Sequence, residues 1–171
     1  VMVGTLDESD QLELLRLARS TLESYLSSGN IPQYHANRPA LNSHAGAFVS
    51  LHYSGELRGC IGQLTPDQEL YRVIQSCAIS AATEDTRFLP LTHEELSEAE
   101  IEISVLTPFR RIKDIAEIEV GRHGLLLVRG ANRGLLLPQV ATQYNWDRES
   151  FLMHTCRKAG LPGSGFHPGN W

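Results

Sequence analysis

A single cysteine stands between two glycines in the run Leu57-Arg58-Gly59-Cys60-Ile61-Gly62. A cysteine becomes a nucleophile where its surroundings favour the thiolate. Gly59 and Gly62 leave the backbone around it open to close approach by a ligand or another strand. Arg58 would favour the thiolate if its side chain lay near, although alternation sets adjacent strand residues on opposite faces. The plain alternative for Cys60 is a small buried hydrophobe in a strand, since cysteine ranks among the most buried residue types. Cys77 and Cys156 lie on helices and read as core. Seven histidines supply imidazoles for a Cys–His pair, but none is fixed by spacing. His154, one turn from Ser150 and two residues from Cys156, is the candidate base, and His123 lies between Gly121 and Gly124 at the mouth of a hairpin. Such a pair would have to be assembled by the fold.

Two further segments have side chains suited to binding. Glu84-Asp85-Thr86-Arg87-Phe88-Leu89-Pro90 reads either as a helix-exit loop with a local ion pair or as a rigid loop presenting Asp85 and Arg87 to a polar or anionic ligand. Arg133-Gly134, with Leu137-Pro138-Gln139, has the same ambiguity, so Arg58, Asp85, Arg87, His123, Arg133 and Gln139 form the candidate binding set. No phosphate-loop glycine pattern and no metal-ligand spacing occurs, so no metal and no cofactor is expected.

The elements that must position these residues follow from periodicity. Apolar residues at three- and four-residue steps predict a helix over 7–28, stopped by Gly29-Asn30. A polar stretch from Pro32 to Gly46 follows, long enough to suggest a functional loop. From Ala47 the period becomes two, and Ser54-Gly55 turns the chain back through Leu57–Gly62 as a hairpin. Thr65-Pro66-Asp67-Gln68 predicts a capped helix start, and Thr92-His93-Glu94-Glu95 a second capping box. Glu100–Val105 reads as a half-buried strand. Gly121–Leu137 holds a second hairpin, and a last helix runs from about Asp147 to Ala159, ended by Gly160 with Pro162 beyond. The glycine- and proline-rich tail receives no regular structure.

A constant shift of 75 lays the second hairpin on the first. Gly46 falls on Gly121, Leu51 on Leu126, Gly55 on Gly130 and Arg58-Gly59 on Arg133-Gly134, and each copy precedes a helix with a cysteine. Hairpin grammar requires some of these glycines but not the shared Arg-Gly. Repeats decide folds. Two hairpin-plus-helix units, roughly 46–83 and 121–159, are therefore expected to join into one curved sheet within a single domain of 1–171.

Composition bounds the function. The chain has 171 residues, 42% hydrophobic and 20% charged, as in an ordinary globular protein. A chain of this length can bury roughly two-thirds of its unfolded surface without staples. Fifteen Lys and Arg stand against twenty Asp and Glu, a net charge of -5, which argues against nucleic acid as a partner. No apolar run approaches the about 20 residues that span a bilayer, and no signal sequence is evident at the start. Three scattered cysteines point to a reducing, cytoplasmic setting.

Several segments together resemble the AMMECR domain family, whose microbial members form protein A of the AmmeMemoRadiSam system. They are Leu57–Gly62, Asp85-Thr86-Arg87-Phe88 with Pro90-Leu91, Ile101–Leu106, Gly121-Arg122-His123-Gly124, Arg133–Val140 and Cys156–Pro162, in the family's order across nearly the whole chain. The family pattern continues with a further strand beyond the Trp-containing segment near Trp171, where this sequence stops. The resemblance implies an α+β fold with a barrel-like, mainly antiparallel sheet flanked by helices, in a larger and a smaller lobe with a cleft between. It implies a modification pathway shared with a Memo-like protein and a radical S-adenosylmethionine enzyme, and it raises the standing of Cys60 as a functional thiol. The alternative is a non-catalytic adaptor or small-ligand binding module.

Overall fold

The computed structural model describes residues 6–162, and the chain divides into two compact units, 1–109 and 110–171. The expectation for the tail lies outside the described residues. Among the described residues the fold is mixed α and β, with six α-helices and antiparallel sheets.

Unit 1 begins with α1 (Glu8–Ser28). Asp7 and Asp10 close a reciprocal capping box at its start, and Gly29 ends it at φ 76°, in the left-handed region that a glycine enters at little cost. Leu14, Leu17, Ala18 and Leu22 form its buried stripe. The polar stretch that follows is not all loop, because Pro39 starts the short helix α2 (Pro39–Asn42). Strands β1 (Ala47–Tyr53) and β2 (Glu56–Gln63) form the first expected hairpin, and β3 (Glu100–Val105) pairs with the other edge of β1. Ser54 and Gly55 both have positive φ, 52° and 79°, as a tight two-residue turn between right-twisted strands requires. Helix α3 (Leu70–Thr83) packs against α1 and the hairpin, and α4 (His93–Leu96) opens on the expected Thr92–Glu95 capping box. Val49, Leu51, Leu70, Val73, Ile74 and Ala78 are wholly buried in a shared core.

The Thr65 capping expectation does not hold. Helix α3 starts five residues later, with Glu69 before it and no side-chain cap. Gln63 accounts for the difference: its amide donates to the Thr65 carbonyl at 3.2 Å and to the Asp67 carboxylate, holding the segment as an extension of the β2 end.

Unit 2 contains a single-turn 3₁₀ segment at Ile115–Glu117, the second hairpin β4 (Leu125–Arg129) and β5 (Asn132–Leu136), then α5 (Pro138–Gln143) and α6 (Arg148–Lys158). Asp147 caps α6, and Gly160 at φ 80° follows its end. A small core gathers Ile118, Leu136, Ala141 and Phe151.

The single curved sheet is corrected. Among the described residues the strands form a three-stranded sheet, ordered β2-β1-β3, and a separate two-stranded sheet, β4-β5, with no closed barrel. Hairpin periodicity specifies pairing within each hairpin and says nothing about pairing between hairpins.

Candidate functional site

The hairpin of unit 1 contains one irregularity, and it decides where Cys60 points. Near the turn, Tyr53 pairs with Glu56 and His52 with Leu57; beyond it, Leu51 pairs with Gly59, Ser50 with Cys60 and Val49 with Ile61. Arg58 is the extra residue, a β-bulge. An unbroken ladder counted from the turn would set Cys60 opposite Val49, whose side chain is wholly buried. One inserted residue moves Cys60 to the face of Ser50, because a register shift of one exchanges the two faces of a strand. The sulfur therefore lies on the face away from the core, half-buried.

There the Ser50 hydroxyl donates to Cys60 Sγ at 3.1 Å. The backbone N–H of Cys60 donates to Asp85 Oδ2 at 3.0 Å. Asp85 follows the end of α3, and its side chain is only 5% exposed. Arg87 meets it with both prongs, Nε to Oδ1 at 3.0 Å and Nη2 to Oδ2 at 2.7 Å. The paired guanidinium, helped by the N–H groups of Cys60 and Arg87, holds the Asp85 carboxyl well below the usual carboxylate range against the opposing effect of its burial. Asp85 reciprocally raises Arg87, with a smaller electrostatic contribution from Cys60. Sulfur and guanidinium thus lie within electrostatic reach of each other, while the Arg87 side chain stays 59% exposed.

Arg58 lies on a different partner. Its guanidinium forms an ion pair with Glu95, donating from Nη1 to Oε2 and from Nη2 to Oε1 at 3.2 Å. Nη2 also reaches the carbonyls of Leu89 and Pro90 at 3.4 Å. Arg58, with the Thr92 N–H, lowers the Glu95 carboxyl to about 2. The loop 85–90 is consequently tied at both ends to β2, by Asp85 on the Cys60 N–H and by Arg58 on the Leu89 and Pro90 carbonyls. It holds Leu89, 80% exposed, out to solvent. The local ion pair that the sequence offers as one reading of this loop is present, and Asp85 is turned inward to the Cys60 N–H and Arg87, not out to solvent.

Gly59 has a stricter role than openness to ligands. A Cβ there would stand 1.9 Å from the Ala81 carbonyl oxygen of α3, and one on Gly62 would enter the Phe48 ring. These glycines let a helix and an aromatic ring approach the strand. Cys77 and Cys156 are buried as expected; burial, with a smaller contribution from Cys60, pushes the Cys77 thiol up to about 11, and burial raises Cys156.

The other four candidates belong to unit 2. His154 lies mid-way along α6; its Nδ1 is 2.8 Å from the Ser150 carbonyl, so Nδ1 carries the proton and Nε2 is the available nitrogen. Its ring stacks on Trp146 at 3.8 Å and 13°. His123 is a loop staple: Nδ1 accepts from the Glu119 N–H at 3.1 Å, and Nε2 faces the Glu119 carboxylate at 3.7 Å. Arg133 lies exposed on β5, and Gln139 in the first turn of α5. Within unit 1, Cys60, Asp85 and Arg87 come together and Arg58 does not join them. Ser50 and Glu95 were not singled out from the sequence. Glu95 had a signal, its capping-box position beside Thr92, whereas Ser50 had none, because the bulge that pairs it with Cys60 has no local signature. No group of three or more metal-ligating side chains converges among the described residues.

The AMMECR1 family model matches residues 15–169, which takes in both units. The chain belongs to the AMMECR1 family. Among its relatives, the protein Mbar_A1807 of Methanosarcina barkeri is 46% identical over 156 residues, covering 86% of this chain and 77% of that protein. The protein MJ0810 of Methanocaldococcus jannaschii is 43% identical with the same coverage. The crystal structure of the uncharacterized protein PH0010 from Pyrococcus horikoshii aligns with a TM-score of 0.83 at 41% identity, covering 88% of this chain and 80% of that one. None of these AMMECR1 relatives has a name that states an activity.

Proposed function

We propose that this AMMECR1-family protein uses Cys60 as a nucleophile or acceptor thiol. We further propose that it is a cytoplasmic component of the modification pathway implied by the family resemblance, acting with a Memo-like protein and a radical S-adenosylmethionine enzyme. The observation that carries this reading is the arrangement at the sulfur: a hydroxyl donor at 3.1 Å, and a backbone pinned by a carboxylate that is itself neutralised by Arg87. A purely structural cysteine in a strand requires none of these. Ser50 supports a negative sulfur by donating to it, and the Asp85–Arg87 clamp fixes the strand at the reacting residue. In this reading Arg87 and the loop around Leu89 receive the incoming group. Three free thiols fit a reducing compartment, and no helix among the described residues is long and apolar enough to cross a membrane.

Timed alkylation with iodoacetamide between pH 6 and 9 tests the proposal, with each cysteine read by peptide mass spectrometry. Cys60 is expected to react first and faster than a free cysteine, while Cys77 and Cys156 stay protected. A Cys60 sealed from reagent, or no faster than a free thiol, removes the nucleophile and leaves the adaptor or ligand-binding module.

We also infer that the two hairpin-plus-helix units are diverged copies. Gly134, the counterpart of Gly59, meets a helix in the same way, since a Cβ there would lie 2.5 Å from the Ala159 backbone nitrogen at the end of α6. The shift of 75 also carries Thr83, the end of α3, onto Lys158, the end of α6.

A further inference from the structure

The polar stretch after α1, long enough to suggest a functional loop, folds back along that helix. Gln75 of α3 donates to the Pro32 carbonyl at 3.0 Å, the Tyr34 ring meets the Tyr71 ring at 5.6 Å, and Asn42 donates to the Ala36 carbonyl at 2.9 Å. Arg38 then reaches the start of α1. Its Nε lies 2.9 Å from Asp10 Oδ1, an ion pair without hydrogen-bond alignment, and its Nη2 lies 3.6 Å from Asp7 Oδ1. The stretch is held along its length, and it walls one side of a cavity of about 430 Å³. That volume is in the range of small-molecule sites.

The other wall is α1. Leu12, Glu13 and Arg16 line the cavity from one face of the helix, and Tyr34, Asn37 and Arg38 line it from the stretch opposite. This face is not that of Leu14, Leu17, Ala18 and Leu22, which fill the core.

Two opposite charges meet this cavity without meeting each other. Glutamate and arginine at i and i+3 on a helix are neighbours that ordinarily pair, yet Glu13 and Arg16 form no ion pair. Tyr34 accounts for Glu13: its hydroxyl donates to Oε1 at 2.6 Å, and Oε2 has no donor among the described residues. Burial and the Glu13 carboxylate push the Tyr34 hydroxyl up to about 12, so it stays a donor through the neutral range. Arg16 is exposed and, like Asn37, makes no ion pair or side-chain hydrogen bond among the described residues. With Arg38 engaged by Asp10 and Asp7, the charges left at the cavity are one cation, Arg16, and one anion, Glu13. Leu12, 47% exposed, gives apolar surface beside them. A ligand of one sign would satisfy one of these charges and be repelled by the other, whereas a zwitterion satisfies both.

We propose that this cavity binds a small zwitterion of the α-amino-acid class. The carboxylate would lie on Arg16, in the two-pronged geometry that a guanidinium favours. The ammonium would lie on Oε2 of Glu13, and an apolar side chain against Leu12. Asn37, with both donors and an acceptor, can serve either end. The proposal rests on α1 and the stretch after it and is independent of Cys60.

Calorimetric titration of the full chain tests it, with L-leucine and L-phenylalanine as probes. Each is set against its analogue lacking the ammonium, isocaproate or hydrocinnamate, and its analogue lacking the carboxylate, isoamylamine or phenethylamine. At least one amino acid is expected to bind, and both of its analogues about tenfold or more weakly, since each loses a charge-assisted hydrogen bond. Arg16→Gln should weaken the amino acid about tenfold or more and leave the amine analogue unchanged. Glu13→Gln keeps an oxygen for Tyr34; it should weaken the amino acid by a similar factor and leave the carboxylate analogue no weaker. The thermal midpoint should be unchanged in both variants, because neither side chain is part of the core. No detectable binding of either amino acid at about 10 mM overturns the proposal. So does an analogue that binds as tightly as its amino acid, which marks a site for one charge alone. An unchanged affinity in Arg16→Gln overturns it too, by placing the binding elsewhere on the chain.

Discussion

The two hairpins share an Arg-Gly pair and use it differently. In unit 1 the arginine is a bulge, the glycine meets α3, and the following residue, Cys60, points away from the core at Ser50. In unit 2 the ladder runs unbroken from Arg129–Asn132 to Leu125–Leu136, Arg133 pairs with Val128, and Leu135 in the place of Cys60 faces Leu126. The glycine contact with a helix is common to both; the bulge is not. The shared glycine therefore serves packing, and in both hairpins the next residue lies on the face away from the helix; the bulge lets unit 1 keep that arrangement although its turn lies one residue further from the glycine. The bulged arginine pairs with Glu95, whereas the regular one has no ion-pair partner among the described residues.

The contrast can be broken most severely at the glycines. Gly59→Ala would drive a Cβ into the Ala81 carbonyl, and with backbone on both sides nothing can yield cheaply. A loss of about 3 kcal/mol or more is expected in urea unfolding. Gly134→Ala, with its nearest atom at 2.5 Å rather than 1.9 Å, should cost less. Equal costs would mean that the two contacts are not graded as their distances suggest.

Asp85→Asn comes next. It leaves Arg87 without its charged partner and weakens the hold on the Cys60 N–H, for an expected loss of about 1.5–3 kcal/mol by chemical denaturation. The folded-state carboxyl lies below its unfolded value. Its stabilisation is therefore complete above the unfolded value near pH 4 and declines as pH falls from there toward the depressed folded value. The variant should flatten the acid limb of stability against pH, and an unchanged limb would mean that other carboxylates set it.

Deleting Arg58 sharpens the comparison. With the bulge residue gone, the ladder counted from Ser54-Gly55 would return the cysteine to the core face, and its alkylation should fall about tenfold or more as exposure is lost. Persistent reactivity would show that something other than the bulge sets its orientation. The smallest effect belongs to Glu95→Gln. Removing this partner of Arg58 should lower the thermal midpoint less than Asp85→Asn does, and the difference should shrink as salt is added.

Much of this was legible beforehand. Thr92 caps a helix, Gly29 and Gly160 end helices, and Ser54-Gly55 turns a hairpin, because each depends on the conformational preferences of a few adjacent residues. The Asp85–Arg87 pair was visible for the same reason, being two residues apart. Asp85 on the Cys60 N–H spans 25 residues, and Arg58 on Glu95 spans 37. Neither separation has a signature in a single chain. The Thr65 expectation failed when a longer contact, from Gln63, prevailed over a plausible local cap.

By itself the sequence determined the longer helices apart from the start of α3, the hairpins, the family and the short run in which a functional thiol should be sought, since these follow from local propensity, periodicity and motif order. Only the tertiary structure decided which face that thiol occupies, which arginine lies near it, and that its glycine neighbour accommodates a helix. The physical reason is that strand alternation has a period of two. One extra residue, costing little locally, exchanges core for surface along the rest of β2, and whether it is inserted depends on what Arg58 finds across the fold.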